Sequence, residues 1–322
     1  MANNSTGKIV TVKGIMEPDE SLFFQCHEHL LMAYGKPGEK YPELYYDELD
    51  KSMQEAQAYV RAGGDGLVEA QPVGCCRMTE ELVKISENTG LHIVASTGFH
   101  KMAFYPEGHW IFEQDEQGLT EIFLHELQQG MFIDGAFEKP QQWISARAGQ
   151  IKTAMETTEI NDQYRKVITA AANAAKETGA PIMMHVENGH HPLKYFELLE
   201  QQGVRPEQMI FCHLDRACKD LQVHKELAKA GAFIEYDTIA RWKYHSDERE
   251  LEIFNEMIQA GFEDQLLFSL DTTRKRLSTY GGDMGLTYIL EIFLDMMRNA
   301  GISQEIIDKV SKKNPAKALA WK

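Results

Sequence analysis

The chain is short of basic residues and lacks the patterns that mark membrane and secreted proteins. Lysine and arginine number 33 against 49 aspartates and glutamates, so the formal net charge is −16. Because such a surface repels a phosphate backbone, nucleic-acid binding is not expected as a main function. No apolar run approaches ~18 residues, and the N-terminus lacks the apolar core of a signal peptide. We therefore expect a soluble cytoplasmic protein that binds neither nucleic acid nor membrane.

Cysteine motifs and dinucleotide-binding motifs are also missing. The five cysteines are an odd number, and no CxxC pair occurs among them. The cysteines therefore favour neither a disulfide framework nor a thiolate zinc site. No GxGxxG follows any of the early apolar runs, so a dinucleotide-binding sheet has no support.

Eight short apolar runs alternate with longer amphipathic segments. The predicted strands are Leu22–His29, Gly66–Gln71, Leu91–Thr97, Ala148–Ala154, Pro181–Val186, Met209–His213, Ala232–Tyr236 and Gln265–Asp271. The predicted helices between them include Glu48–Ala62, Thr79–Thr89, Gln163–Thr178, Pro192–Gln202, Ala217–Ala230 and Asp247–Gly261. Three of them reach a glycine, Gly63, Gly179 or Gly231, suited to a left-handed C-cap. Eight such units predict one α/β domain over residues 1–322, a (β/α)8 TIM barrel with active-face loops at Tyr34–Tyr45 and Tyr105–Gly118.

Polar residues with ligand chemistry stand at the ends of five predicted strands. Barrel enzymes place their reactive groups there. The residues concerned are His27, His29, Lys152, His185, His213 and Asp271. His27 and His29 are two apart on a strand, so both can face the barrel interior and reach one metal ion. An HxH pair alone is a weak signal, but its combination with four other strand-end groups predicts a metal site.

Lys152 is unusual because it lies inside an apolar strand. An unpaired buried ammonium is costly, which favours a neutral amine that can react with carbon dioxide. The resulting carbamate has two oxygens and a negative charge, so it could bridge two cations. A snorkelling lysine or a buried ion pair is the ordinary alternative, and the neighbouring histidines and Asp271 favour the carbamate.

Together these motifs resemble the phosphotriesterase family of the amidohydrolase superfamily. The resemblance rests on HEH at 27–29, GQIK at 149–152, the histidines that end the fifth and sixth strands, and SLD at 269–271. The flanking stretches TVKGIM, LHIVASTGFH and NPAK are similar too, so nearly the whole chain is covered.

The resemblance implies a binuclear metal centre at the C-terminal face of the barrel. His27, His29 and Asp271 would hold the more buried ion, and His185 and His213 the more exposed one. Lys152, modified to a carbamate, would bridge them. Zinc is the first choice for the two divalent ions, with manganese or cobalt as alternatives. A hydroxide held between the ions would attack a carbonyl or phosphoryl centre, and Asp271 would take its proton.

The loops after the seventh and eighth strands concentrate positive charge on this rim. They hold five of the 33 basic residues. We expect a phosphate or carboxylate clamp here, made by Lys243, Tyr244, Arg274, Lys275 and Arg276. A solvated basic run paired with nearby acidic residues is the alternative. The TGFHK and DTTRK segments resemble a subgroup that hydrolyses phosphorylated sugar lactones, so the expected reaction is the opening of a phosphorylated sugar γ-lactone.

Other functions stay open at this point. Within the family, an N-acyl homoserine lactonase would need a long apolar groove, and an organophosphate triesterase is a further alternative. A mononuclear deaminase of the superfamily would not need Lys152. A non-catalytic, metal-containing protein that only binds an anion would keep the same ligands. A homodimer is compatible with the sequence but not indicated by it.

Residues beside the predicted ligands have further predicted roles. Glu69 could accept a hydrogen bond from a liganding histidine. His100 and Lys101 could touch substrate or serve the structure, and Glu187 and Asn188 are expected to form a loop turn.

Two cysteines carry a prediction about orientation. Cys26 and Cys212 each precede a predicted ligand in the sequence. Since side chains alternate along a strand, both thiols are expected to pack outside the barrel.

Overall fold

Eight parallel strands form the centre of the molecule. The computed structural model describes residues 7–156, 160–187, 189 and 191–322. After an antiparallel hairpin, β1 (Ile9–Thr11) and β2 (Gly14–Met16), come the barrel strands β3 (Phe24–Glu28), β4 (Gly66–Glu69), β5 (His92–Gly98), β6 (Gln150–Met155), β7 (Ile182–Val186), β8 (Met209–Cys212), β9 (Phe233–Tyr236) and β10 (Leu266–Phe268). Consecutive barrel strands pair in parallel. The Asp271 N–H donates to the His27 carbonyl (3.0 Å), which links the end of β10 back to β3. The predicted (β/α)8 barrel is confirmed.

Helices surround the barrel. They are α1 (Lys36–Lys40), α2 (Leu49–Ala62), α3 (Thr79–Thr89), α4 (Trp110–Glu113), α5 (Glu116–Gln128), α6 (Asp162–Thr178), α7 (Pro192–Gln201), α8 (Leu214–Ala217), α9 (Leu221–Ala230), α10 (Asp247–Gln259), α11 (Leu294–Asn299), α12 (Gln304–Asp308) and α13 (Asn314–Leu319). The π-helical segments Ile289–Phe293 and Lys309–Lys313 precede α11 and α13. Gly63, Gly179 and Gly231 end their helices with a positive φ, as predicted. Within the described ranges, no helix is long and apolar enough to cross a membrane.

The barrel interior contains both Cys26 and Cys212, so the prediction that they pack outside is wrong. Both are fully buried in an apolar cluster with residues from β4, β5, β7, β9 and β10, which can meet only inside the barrel. The alternation fails in two places. The register between β3 and β4 shifts between Gln25 and Glu28, which marks a bulge. After Cys212, His213 adopts a left-handed backbone (φ 66°). Each ligand can therefore face inward next to an inward-facing thiol.

The chain termini close the N-terminal end of the barrel. Ile9 of the hairpin packs in the interior cluster with residues 318–320 of the C-terminal segment. The Trp321 backbone N–H donates to the Lys8 carbonyl (2.9 Å), and its indole N–H donates to the Gly149 carbonyl (2.7 Å). This base leaves the opposite, C-terminal end for the polar groups.

Candidate metal centre and substrate cleft

The six residues predicted as metal ligands converge at the C-terminal end of the barrel. His27 Nε2 lies 3.1 Å from Lys152 Nζ and 3.8 Å from Asp271 Oδ1. His29 Nε2 lies 3.6 Å from the same Asp271 oxygen. The remaining two ligands are grouped by the structure as well. They are His185 and His213, with His185 Nδ1 2.7 Å from His213 Nε2.

Two of these side chains stand just beyond their strands on unusual backbone. His213 (φ 66°) and Asp271 (φ 49°) both lie in the left-handed region, which non-glycine residues seldom adopt. Such conformations persist only where the surroundings enforce them, and they cluster at functional sites. For Asp271 the enforcing contacts come from Glu28, whose carboxylate accepts the N–H groups of Leu270 (2.8 Å) and Thr272 (3.2 Å). The middle residue of HEH therefore fixes the turn that presents Asp271.

The Lys152 side chain extends from β6 to the centre, and the Lys152 backbone lies against a glycine of β5. Gly98 of β5 has φ 95°, and a Cβ at this position would collide with the Lys152 carbonyl. The Lys152 side chain is fully buried, and its amine lies 3.3 Å from Met183 Sδ in addition to the His27 contact. Among the described residues, no carboxylate pairs with this amine. The buried amine therefore lacks, among these residues, the counter-charge that would offset the cost of burying an ammonium.

Each histidine of the centre has a carboxylate close to one of its ring nitrogens. Asp237 contacts Nδ1 of His213 (2.6 Å) and lies 3.3 Å from Nδ1 of His27. Glu69 lies 3.2 Å from His29 Nδ1, as the sequence suggested. In every case the other ring nitrogen faces the centre, and carboxylates that orient liganding histidines in this way are typical of metal sites.

His185 also has a carboxylate beside one ring nitrogen, and this carboxylate belongs to a residue just after its strand. Glu187 Oε1 lies 3.0 Å from His185 Nε2, which leaves Nδ1 for the centre. Glu187 was predicted only as part of a loop turn, and it also pairs with Lys101. Asn188, the other residue of that turn, lies outside the described residues.

Burial favours the neutral form of three of these imidazoles. Burial lowers the pKa of His27 to about 3. Burial likewise lowers the pKa of His185 to about 4 and the pKa of His213 well below its ordinary value. Neutral imidazole is the form that binds a metal ion.

The donor set therefore fits divalent metal ions. Converging imidazole nitrogens and a carboxylate suit zinc, manganese or cobalt. His27, His29 and Asp271 offer donor atoms that lie within 4.8 Å of one another. This geometry supports a metal centre.

Asp271 is held from its other side by two arginines. Its Oδ2 lies 2.7 Å from Arg241 Nη1 and 3.1 Å from Arg216 Nη2. Although burial opposes ionisation, the guanidiniums of Arg241 and Arg216 hold the pKa of Asp271 well below its usual range. The carboxylate is thus ionised, with Oδ1 towards the histidines and Oδ2 towards the arginines.

A cleft of about 220 Å³ opens above the predicted ligands. Its wall includes four cations, Lys101, Arg216, Arg241 and Lys243, although the protein as a whole is acidic. Tyr244 also lines the cleft, with the Arg216 guanidinium 5.0 Å from its ring centroid. Two of the predicted substrate contacts, Lys243 and Tyr244, therefore stand beside the predicted metal ligands.

The other three predicted substrate contacts stand elsewhere, and none of them lines this cleft in the described part of the chain. Arg274 is exposed. Lys275 and Arg276 line an adjoining cavity of about 300 Å³ that shares Arg241 and Lys243 with the cleft. Arg276 is buried and donates to the carbonyls of Leu270, Asp271 and Ile239. Two of its guanidinium nitrogens thus bind backbone carbonyls, and its assignment to a phosphate clamp stays a prediction.

The sequence analysis did not assign the two arginines of the cleft wall that contact Asp271. Arg216 follows His213 by three residues, and no motif pointed to it. Arg241 was counted as a basic residue of its loop but was not assigned to the site. His100 and Lys101 line the cleft directly, with the His100 ring centroid 5.0 Å from that of His185. The signal that could have found these residues is their position just after β8, β9 and β5, where barrel loops reach the active face.

Comparison with known proteins agrees with this geometry. A lactonase of Listeria monocytogenes is 29% identical and superimposes with a TM-score of 0.89 over 98% of this chain and 99% of its own. A phosphotriesterase homology protein of Escherichia coli, complexed with phosphate in its active site, is 26% identical (TM-score 0.84; 94% and 99% coverage). An N-acetyltaurine hydrolase of Salmo salar is 28% identical over 98% of this chain and 99% of its own. The family model described as the phosphotriesterase family matches residues 7–319, and this chain therefore belongs to the phosphotriesterase family of hydrolases.

Proposed function

We propose that the protein opens a phosphorylated sugar γ-lactone in a reaction that depends on two divalent metal ions, with zinc as the first choice. The observation that carries the proposal is the cationic wall beside the ligand cluster. A small substrate with an ester carbonyl and a phosphate can place the carbonyl near the histidines and the phosphate near Arg241 and Lys243. The similarity to a lactonase and to a protein with phosphate in its active site supports this substrate class.

The ligand set would be that of the predicted centre. His27, His29 and Asp271 would hold one ion, and His185 and His213 the other. A carbamate on Lys152 would join the two sites, since the amine is buried without a carboxylate partner in the described ranges. Enzyme prepared in ¹³C-labelled bicarbonate should show a carbamate signal by NMR that Lys152→Met lacks.

The chain's own groups can serve the reaction as follows. When bound, the two ions supply Lewis acidity towards the scissile carbonyl and promote ionisation of water near neutral pH. Asp271 is ionised and has Oδ1 on the ligand side, so it can accept the proton of the attacking water. Once water has added to the carbonyl carbon, the ring carbon–oxygen bond breaks. Asp271 then returns its proton to the departing ring oxygen, and a hydroxy acid leaves.

A matched pair of lactones tests the proposal. The metal-loaded enzyme is assayed by proton release with one sugar γ-lactone that carries a 5-phosphate and with the same lactone without it. We expect a kcat/KM at least ~100-fold higher for the phosphorylated member, since charge-assisted bonds contribute ~1.5–3 kcal/mol each. Equal rates would remove the phosphate from the proposal, and no turnover of either would remove the lactone.

N-Acetyltaurine is the second candidate substrate. Relatives with this activity match 98% of the chain. The compound joins an amide carbonyl to a sulfonate, so it presents the same pair of features, a carbonyl and an anion, to the same cleft. Release of taurine, measured with an amine reagent alongside the lactone assay, decides between the two substrates.

A further inference from the structure

A second group of ligand-type side chains lies outside the predicted metal centre. Asp215 belongs to α8, His245 to the loop after β9, and Glu250 to α10. Their donor atoms all lie within 4.8 Å of one another. The three residues come from separate elements and have no part in the reaction described above.

Glu250 is the feature that needs an explanation. Its side chain is 0% exposed, and neither carboxylate oxygen has a hydrogen-bond partner in the described part of the chain. His245 Nε2 lies 3.3 Å from Oε2, and this nitrogen is also without a hydrogen bond among the described residues. Burial and the neighbouring Asp215 carboxylate raise the pKa of Glu250 well above its usual range. A buried carboxylate is stable only when a proton or a cation offsets its charge.

The orientation of His245 indicates where a cation would bind. His245 Nδ1 lies 3.1 Å from the Ser246 carbonyl, which can only accept, so Nδ1 carries a proton. In the tautomer protonated on Nδ1, Nε2 keeps a lone pair and lies 3.3 Å from Glu250 Oε2. Two such atoms approach closely when a cation lies between them, and tetrahedral ligands with bonds of ~2.0–2.1 Å stand ~3.3–3.4 Å apart. A backbone carbonyl on the second ring nitrogen is also typical of liganding histidines.

Asp215 completes the group with an oriented carboxylate. Its Oδ1 accepts the Arg216 N–H (2.8 Å), and its Oδ2 accepts the Thr238 N–H (2.7 Å). These bonds fix the carboxyl group and leave further lone pairs on both oxygens. Two carboxylates and one imidazole are a donor set suited to zinc and similar divalent ions.

We propose that Asp215, His245 and Glu250 bind a divalent transition-metal ion at a structural site separate from the catalytic centre. The ion would tie the loop after β9 to α8 and α10. That loop carries Arg241, Lys243 and Tyr244, so the site would fix the wall of the cleft without touching the substrate.

Zinc stoichiometry tests the proposal. The full-length protein is loaded with zinc, freed of excess metal and analysed by mass spectrometry of the element. Wild type is compared with Glu250→Gln, His245→Asn and the control Glu248→Gln, an exposed carboxylate on the same helix. We expect wild type and Glu248→Gln to hold one zinc ion per chain more than the other two variants. We also expect zinc to raise their Tm further than it raises the Tm of Glu250→Gln.

Equal zinc content in all four proteins would overturn the proposal and leave a proton shared within the group, not a metal ion, to offset the buried charge. If Glu250→Gln does not fold, His245→Asn decides the question, because His245 lies nearer the surface, with 14% of its side chain exposed. The zinc count needs no substrate, so it stands or falls independently of the proposed lactone hydrolysis.

Discussion

The loop after β9 contains Arg241 and Lys243, and the loop after β10 contains Arg274, Lys275 and Arg276. Both follow neighbouring strands on the same rim, and in the sequence they look alike. In the structure, Arg241 and Lys243 line the cleft, whereas Arg276 is buried against backbone carbonyls.

The cause of the difference is the geometry at the end of β10. Asp271 turns into a left-handed conformation three residues after the strand ends, so the carbonyls of Leu270 and Asp271 leave the ladder. Buried carbonyls need donors, and Arg276 supplies them, while Arg241 also donates to the Asp271 carbonyl (2.6 Å) from the cleft side. Whether a basic residue near an active site is available to a substrate therefore depends on whether backbone carbonyls around it lack a hydrogen-bond donor.

The largest effect is expected at Asp271 itself, where the two loops meet. Asp271→Asn removes the group that accepts and returns the proton but keeps one oxygen for the metal. We expect kcat to fall by ~10²–10⁴-fold, the range for a lost general acid–base. The measurement is kcat together with metal content. Full activity with a normal metal content would remove Asp271 from proton transfer.

We expect Arg276 to contribute more to the free energy of unfolding than to substrate binding. Arg276→Met leaves the carbonyls of Leu270 and Ile239 without their donor, so the free energy of unfolding should fall by ~2–3 kcal/mol. Urea denaturation measures this change. Lys243→Met, in the partner loop, is the control and should change the free energy of unfolding by less than ~0.5 kcal/mol because that side chain is exposed. Similar losses in both variants would contradict the division between the loops.

The ligand cluster could be predicted from the sequence because local sequence patterns mark the strands that carry it. His27, His29, Lys152 and His185 belong to strands that apolar runs define, and their position near the C-terminal end fixes where they meet. His213 and Asp271 end the same kind of run, so the pattern reached them although each leaves its strand.

The arginines of the cleft wall could not be predicted in the same way. Arg216 lies at the end of the short helical turn α8, and its guanidinium reaches Asp271 across the barrel rim. Such contacts depend on loop paths that no periodicity encodes. The inward orientation of Cys26 and Cys212 was missed for a similar reason. A bulge in β3 and the left-handed backbone of His213 change the face of the strand on which alternation would place these side chains.

Lys243 tests the substrate role of the β9 loop. Lys243→Ala should raise the KM for a phosphorylated lactone by ~10-fold, because one charge-assisted bond is lost, and should leave the unphosphorylated lactone unaffected. Steady-state kinetics with both substrates measure the effect. An equal rise for both lactones would assign Lys243 to the structure of the cleft and not to the anion.

The smallest effect is expected from the exposed cations of the β10 loop. Arg274 lines neither the cleft nor the adjoining cavity among the described residues, and Lys275 is 76% exposed with Glu43 3.9 Å away. The double substitution Arg274→Ala, Lys275→Ala should therefore change the KM for the phosphorylated lactone by less than about twofold, because surface charges contribute little. A rise as large as that of Lys243→Ala would place the phosphate in the adjoining cavity that Lys275 lines. The two loops would then form a single clamp, as the sequence alone suggests.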